Sequence, residues 1–319
     1  MPLPWRSRLL ALMPRLGLAT EPMGPGAAVV ARRGQRLSVH GLDDRTWVVQ
    51  RGQGRRRTVR RMGPARSRTH LVVDEVAARD GLHQQQLQLA SYMAAEHVGS
   101  VLHDLGINCV LDVGANVGQF GQRLRRAGYT GRIVSFEPLP HLAKQLHERA
   151  DPDPEWHVMA YALGDEDTEA EMTVVDGAGK TSSLLQASEF GTSWLPRLDG
   201  VGKETVRIRR LEDVFDDAVD GLDEPRVFLK MDTQGYDLRT FAGAGGRIED
   251  VLGLQSELAS IPIYDQMPRM PEALATYEEA GFETTGIFPI SRDRDTPRVI
   301  EFDVVMIRAD AVLKGPAAR

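Results

Sequence analysis

In Val110-Leu-Asp-Val-Gly-Ala-Asn-Val-Gly118 an apolar segment runs into two glycines, and Glu137 follows nineteen residues after Gly118, in Val134-Ser-Phe-Glu-Pro138. Gly114 lets the chain turn sharply, and Gly118 lets a following helix approach the strand closely. Exposed amides at the start of that helix suit a polar or anionic ligand group. An acid ending the next strand can accept hydrogen bonds from both hydroxyls of a ribose. Gly114, Ala115, Asn116, Gly118, Glu137 and Pro138 are therefore candidates for holding a nucleoside. The dinucleotide fingerprint G-x-G-x-x-G keeps its middle glycine for a pyrophosphate. Here Asn116 takes that place and the final glycine comes one residue early, so a ribonucleoside without a pyrophosphate fits better.

S-adenosylmethionine is such a nucleoside, and transfer of its methyl group is an in-line displacement from a sulfonium carbon. A protein catalysing it must align donor and acceptor and, for a hydroxyl acceptor, help remove a proton. Asp232 ends a later apolar strand, at the sheet edge where ligands bind in doubly wound folds. It is the first candidate for a general base or substrate orienter. Lys230, two residues earlier, points the same way and can pair with Asp232 or polarise the acceptor. A buried Lys–Asp pair that merely fixes the strand end is the plainer reading. Asp112 is placed either to approach the donor's amino group or to pin the glycine loop. Asp232 and Glu257, from adjacent strand ends, are candidate oxygen ligands for a divalent cation such as Mg2+. Lys180-Thr-Ser-Ser183 can cover the acceptor site through Ser182 and Ser183, and Tyr264 and Gln266 can shape it. His141 and His157 read as surface or packing residues.

The elements that must position these groups alternate. Strands are expected at Cys109–Val113, Arg132–Phe136, His157–Leu163, Glu171–Val175, Val227–Met231, Leu252–Gln255, Glu283–Phe288 and Phe302–Ile307. Helices are expected over Gln84–Leu105, around Phe120–Ala127, around Leu142–Ala150 and over Pro271–Ala280. This alternation argues for a parallel, doubly wound α/β sheet. The loop before the last strand is short for a crossover helix, so that strand should enter antiparallel.

The net charge of -6 hides two different halves. Residues 1–70 carry 15 Arg, no Lys and three acids, a net of +12, which leaves -18 on the remainder. The first 70 residues read as a basic extension, partly disordered, with short β-like runs such as Thr46–Val49. Leu9, Leu12, Met13 and Leu16 can form one face of a basic helix able to touch anionic lipid or a polyanion. Residues 71–319 read as the catalytic domain. Its acidity repels phosphate backbones, so no nucleic-acid partner is expected. Cys109 is the only cysteine, which excludes an intramolecular disulfide and suits a reducing compartment. No apolar run reaches the roughly 20 residues of a membrane span. Leu9–Met13 is too short for a signal sequence before Pro14 and Arg15, so a cytoplasmic protein is expected.

A set of motifs extends the reading. Asp112-Val-Gly-Ala-Asn-Val-Gly118, Phe136-Glu-Pro138, Ala162-Leu-Gly-Asp165, Thr181-Ser-Ser-Leu184, Arg210-Leu-Glu-Asp213 and Leu229-Lys-Met-Asp-Thr-Gln-Gly-Tyr-Asp237 occur in order, followed by Glu257-Leu258, Tyr264 and Ala280-Gly-Phe282. Over roughly residues 85–308 this set resembles the FkbM family of methyltransferases. The resemblance implies a Rossmann-like class I methyltransferase fold of seven strands, mostly parallel with an antiparallel last strand. It also implies S-adenosylmethionine as donor and O-methylation of a hydroxyl on a sugar, glycolipid or polyketide-type molecule. Leu163 and Asp165 would then border the adenine. Two positions depart from the family pattern: Thr233 stands where valine is usual, and Asp237 where glutamate is, one methylene shorter. Glu212 replaces a common aspartate. The competing readings are a catalytically inactive nucleoside-binding scaffold and a nicotinamide-dependent oxidoreductase.

Overall fold

The computed structural model describes residues 18–24, 27–32, 36–41, 47–52, 57–61, 70–74, 81–175, 181–200, 202–293 and 295–311. Two compact units divide the chain, Met1–Gln88 and Leu89–Arg319. The first contains six strands among the described residues. Strands β1 (Leu18–Gly24) and β2 (Ala27–Arg32) form an antiparallel pair. A four-stranded antiparallel sheet has the order β4 (Trp47–Gly52), β3 (Arg36–Gly41), β6 (His70–Asp74), β5 (Arg57–Arg61). Of the β-like run at Thr46–Val49, residues 47–49 belong to β4, and Thr46 lies outside the described residues. The basic helix anticipated around Leu9–Leu16, and Lys180, lie outside the described residues.

The second unit is organised by a seven-stranded sheet. Strands β7 (Cys109–Val113), β8 (Arg132–Phe136), β9 (Trp156–Met159), β13 (Val227–Met231), β14 (Val251–Ala259), β15 (Phe282–Arg292) and β16 (Val299–Arg308) take the order β15-β16-β14-β13-β7-β8-β9. Strands β9, β8, β7, β13 and β14 pair in parallel, and β16 runs antiparallel to both of its neighbours. Every residue of β7 and β13 is buried, which explains why both read as nearly unbroken apolar runs. Helices lie along the chain between strands: α1 (Gly81–Asp104), α2 (Gln119–Arg126), α3 (Pro140–Ala150), α4 (Glu189–Trp194), α5 (Leu211–Val219), α6 (Asp237–Ala242) and α7 (Met270–Glu279). Val98, Val101, Leu102 and Leu105 form the apolar stripe of α1 and its end, packed with Val110, Phe228 and Val305 of the sheet. Leu211, Val214, Phe215 and Ala218 give α5 its buried face against the other side.

One anticipated strand divides. The run at His157–Leu163 becomes β9, in the main sheet, and β10 (Ala162–Leu163), which leaves it. Strand β10 pairs in parallel with β12 (Gly202–Arg209), and β12 pairs antiparallel with β11 (Thr168–Val174). This small sheet is absent as such from the sequence reading. His157 is exposed and His141 half-buried. Cys109 is fully buried, and burial pushes its thiol up to about 12, so it is an inert small residue of the core.

Candidate active site

The turn after β7 is shaped by contact with β13. Gly114 has φ of 74°, and a Cβ there would sit 2.0 Å from the carbonyl oxygen of Asp232. Only glycine admits both the left-handed backbone and that approach. Gly118, at φ 83°, starts α2, and a Cβ on it would meet Leu146 and Trp156 at 2.7 and 3.0 Å. The two glycines thus bring the loop against the neighbouring strand end and its helix against the sheet.

Glu137 ties that loop to the end of β8. Its carboxylate accepts the Asn116 amide at 2.8 Å and the Leu139 amide at 3.0 Å. Burial pushes Glu137 up to about 7, against the pull of those amides and of Lys230. Two bonds leave lone-pair capacity on a carboxylate for ribose hydroxyls. Asn116 holds the loop from its other side, its Oδ1 accepting from the Val117 amide at 2.8 Å and from Gln119 at 3.0 Å.

Lys230 is buried and faces two carboxylates, Asp112 Oδ1 at 3.0 Å and Asp232 Oδ2 at 3.4 Å. Burial alone would lower its pKa, but the two aspartates outweigh it and raise the value, so the ammonium stays charged. Asp112 is fully buried and also accepts from Ser135 at 3.3 Å. The Asp112–Lys230 pair follows from register, since the two residues are direct partners on adjacent parallel strands. Asp232 is different: its side chain is 45% exposed, at the open end of the strand.

A cavity of about 490 Å³ opens over these strand ends. Gly114, Ala115, Asn116, Glu137, Pro138 and Leu163 line one part of it, with Lys230, Asp232, Glu257 and Ser182 also on its walls. The sequence-derived candidates Asp112, Gly118, Asp165, Ser183 and Tyr264 are not on its walls. Asp112 and Gly118 lie behind them as described. Asp165 is exposed on the loop after β10. Ser183 is buried and donates to the Gln234 carbonyl at 2.7 Å. The Tyr264 hydroxyl lies 2.9 Å from the Thr181 carbonyl and 3.1 Å from Gln234 Oε1. Ser182 accepts the Val175 amide at 3.3 Å. Gln266 has a left-handed backbone, φ 63°, and is exposed.

Gln234 is the residue that the sequence reading passed over. Its Nε2 donates to Asp232 Oδ1 at 3.1 Å and to Glu257 Oε2 at 2.9 Å, using both amide hydrogens. The position between the two carboxylates, where a divalent cation was anticipated, is bridged by this amide. No group of three or more His, Cys, Asp or Glu side chains is arranged to hold a metal among the described residues. The Mg2+ expectation therefore finds no support. No local signal marked it: Gln234 and Gly235 both take the left-handed backbone, at φ 54° and 91°, and that region does not ordinarily favour glutamine.

The two family departures meet each other. Asp237 Oδ1 accepts from the Thr233 amide at 2.8 Å and from the Thr233 hydroxyl, and its Oδ2 accepts from Ser256 and from the Glu257 amide, both at 2.9 Å. The threonine hydroxyl supplies a donor within reach of the shorter carboxylate, which is buried and raised in pKa chiefly by burial. Glu212, the third departure, pairs with Arg210 at 2.6 Å and accepts the Gly246 amide at 3.0 Å, away from the cavity.

A family model described as the methyltransferase FkbM domain matches residues 112–284, more than half of the chain. The chain belongs to the FkbM methyltransferase family. The seven-stranded, mostly parallel sheet with its antiparallel β16 is the class I methyltransferase fold, and S-adenosylmethionine is the donor that family and fold imply. Among solved structures, an rRNA methylase from Streptococcus thermophilus is 11% identical, over 68% of this chain and 94% of its own, with a TM-score of 0.36. Fibrillarin from Aeropyrum pernix, in complex with S-adenosyl-L-methionine, is 11% identical over 91% and 97%, with a TM-score of 0.37. Precorrin-6y C5,15-methyltransferase from Geobacter metallireducens is 9% identical over 63% and 79%, with a TM-score of 0.33. No curated protein matches the sequence. The FkbM domain's cavity suits the donor: it is within the roughly 300–1,000 Å³ of small-molecule sites. The Glu137 carboxylate and the side chains of Phe136, Leu139, Leu163 and Tyr236 are also on its walls.

Proposed function

We propose that the protein is an O-methyltransferase acting on a hydroxyl of a sugar, glycolipid or polyketide-type small molecule in the cytoplasm. The observation that carries this reading is Asp232, a half-exposed carboxylate on the cavity wall, held from behind by Lys230 at 3.4 Å and from the side by Gln234 at 3.1 Å. A carboxylate fixed on two sides and open on the third is suited to orient an acceptor hydroxyl and to take its proton. Lys230 sets a positive charge beside Asp232 and is itself anchored by Asp112. S-adenosylmethionine supplies an activated methyl group when bound. Gly114, Ala115 and Asn116 line its methionine portion in this reading, Glu137 accepts its ribose hydroxyls, and Leu163, with Asp165 at the rim, borders its adenine. Asp112 and Gly118 act from behind, as supports of the loop. Ser182, Ser183 and Tyr264 shape the acceptor side, the last two through Gln234. The acidity of residues 71–319 supports a small acceptor over a nucleic acid, and the basic first 70 residues are a separate extension suited to anionic lipid. No helix among the described residues is long and apolar enough to cross a membrane.

Calorimetric titration tests the donor. S-adenosylmethionine and S-adenosylhomocysteine should bind saturably and NADH should not. Failure of both sulfur nucleosides to bind a folded protein would replace the enzyme reading by an inactive scaffold. Transfer of labelled methyl from the donor to a panel of hydroxyl, carboxylate and amine acceptors then tests the acceptor atom. Label appearing only on nitrogen or carboxylate would overturn O-methylation.

A further inference from the structure

Strand pleating puts alternate residues on one face, and direct partners on adjacent strands share that face. By register, Asp112 faces Lys230, Lys230 faces Gln255, Glu257 faces Asp303, and Glu301 faces Ala259 on one side and Ser291 on the other. One face of the sheet therefore carries a polar row across five strands. Lys230 compensates its two aspartates at one end. The other end holds Glu257, Glu301 and Asp303, and no ion pair reaches any of these among the described residues. Arg123 and Arg197 also line the cavity, with no ion pair to this group among the described residues, and the charges of Lys230 and Arg123 act at longer range on Asp303. Glu257 accepts from one neutral donor, Gln234, on Oε2, and no ion pair reaches either of its oxygens among the described residues.

Glu301 supplies a second, separate observation. It lines the cavity, is only 6% exposed, and uses Oε2 to accept from Ser291 at 2.7 Å. Its Oε1 is buried and has no hydrogen-bond partner among the described residues. A buried carboxylate oxygen at a cavity wall without a donor is costly unless a ligand brings one. Burial and the neighbouring carboxylates raise Glu257 and push Glu301 up to about 7 and Asp303 up to about 6, so this corner resists full ionisation until a cation arrives.

We propose that the acceptor end of the cavity binds a protonated amine of the acceptor, seated between Glu257 and Glu301. The proposal rests on the methyltransferase reading and adds the charge of the acceptor to it. A neutral polyol can satisfy Oε1 with a hydroxyl, but it leaves the carboxylates uncompensated. An ammonium offers three donors and the missing charge together. The methyl-accepting hydroxyl would lie elsewhere on the same molecule, toward Asp232.

The probes are glucosamine and its N-acetyl derivative, which differ at the amine. They are titrated by calorimetry at neutral pH into the full chain saturated with S-adenosylhomocysteine. The expected result is saturable glucosamine binding, at least about tenfold tighter than that of the N-acetyl derivative. Glu301→Gln should abolish the preference while S-adenosylhomocysteine still binds, which also shows that the variant is folded. Should the variant not fold, the wild-type contrast between the two sugars decides alone. Equal binding of the two, or binding of neither to the nucleoside-loaded protein, overturns the amine subsite and leaves the methyltransferase reading standing. Absence of S-adenosylhomocysteine binding overturns both.

Discussion

In the proposed reading, the donor end of the cavity is walled by one contiguous loop, the strand end beside it and apolar side chains such as Phe136 and Leu163, whereas the acceptor end is walled by polar side chains drawn from β13, β14, β15 and β16. At the donor end, Gly114 owes its identity to the Asp232 carbonyl, and Glu137 spends both oxygens on loop amides. At the acceptor end, Gln234, Glu257 and Glu301 hold one another or are held by residues far away in sequence. A ligand shared by every member of a family can be met by backbone geometry. An acceptor that varies must be met by replaceable side chains, and those lie on elements joined only by the fold.

This contrast can be broken by substitution. Asp232→Asn should lower turnover by roughly 100- to 10,000-fold, the range of a general base, with S-adenosylmethionine affinity largely kept. Unchanged turnover would remove Asp232 from the mechanism. Lys230→Met should destabilise the protein by about 3–5 kcal/mol in urea titration, because Asp112 is left buried and unpaired. A much smaller loss would mean that the Asp112–Lys230 pair contributes little to folding. Glu137→Ala should weaken donor binding by about 1–3 kcal/mol, the scale of hydrogen bonds to a charged group. The same variant should leave acceptor specificity alone, and a change there would undo the separation of the two ends.

Titration sharpens the comparison. Glu137 is raised to about 7 from a carboxylate's ordinary range, so the folded state holds its proton more tightly than the unfolded chain. Its favourable contribution is complete below the unfolded value and is lost as pH rises through about 7. Stability should therefore decline between about pH 4.5 and 7, and Glu137→Gln should flatten that slope in thermal unfolding. Glu301, also raised to about 7, acts in the same direction, so some slope persists in the variant. The smallest effect is expected at the paired departures. Thr233→Val removes one hydroxyl donor from Asp237 and should cost about 1 kcal/mol of stability. If Asp237→Glu restores the loss in that background, the two positions compensate each other.

Much of the donor end was legible. The spacing of Gly114, Gly118 and Glu137 reflects local requirements of a turn, a helix start and a strand end, and local requirements leave contiguous motifs. Strands β7, β8 and β13 were legible to the residue because burial on both faces makes them short unbroken apolar runs. The split of His157–Leu163 into β9 and β10 was not, because both pieces are apolar and only their partners differ. Gln234 was quoted within a motif and given no role, since its partners Glu257 and Tyr264 are 23 and 30 residues away. Glu301 belongs to no motif, and the cavity alone gives it a place.

By itself the sequence determined the alternation of elements, the donor loop and its carboxylate, and the antiparallel entry of the last strand, because each depends on neighbours in the chain. The tertiary structure decided which charges meet. Strand register joined Asp112 to Lys230 and Glu257 to Asp303, and the turn after β13 placed one amide between two carboxylates. Those contacts depend on how strands line up across a sheet, and register is set by the packing of the whole core.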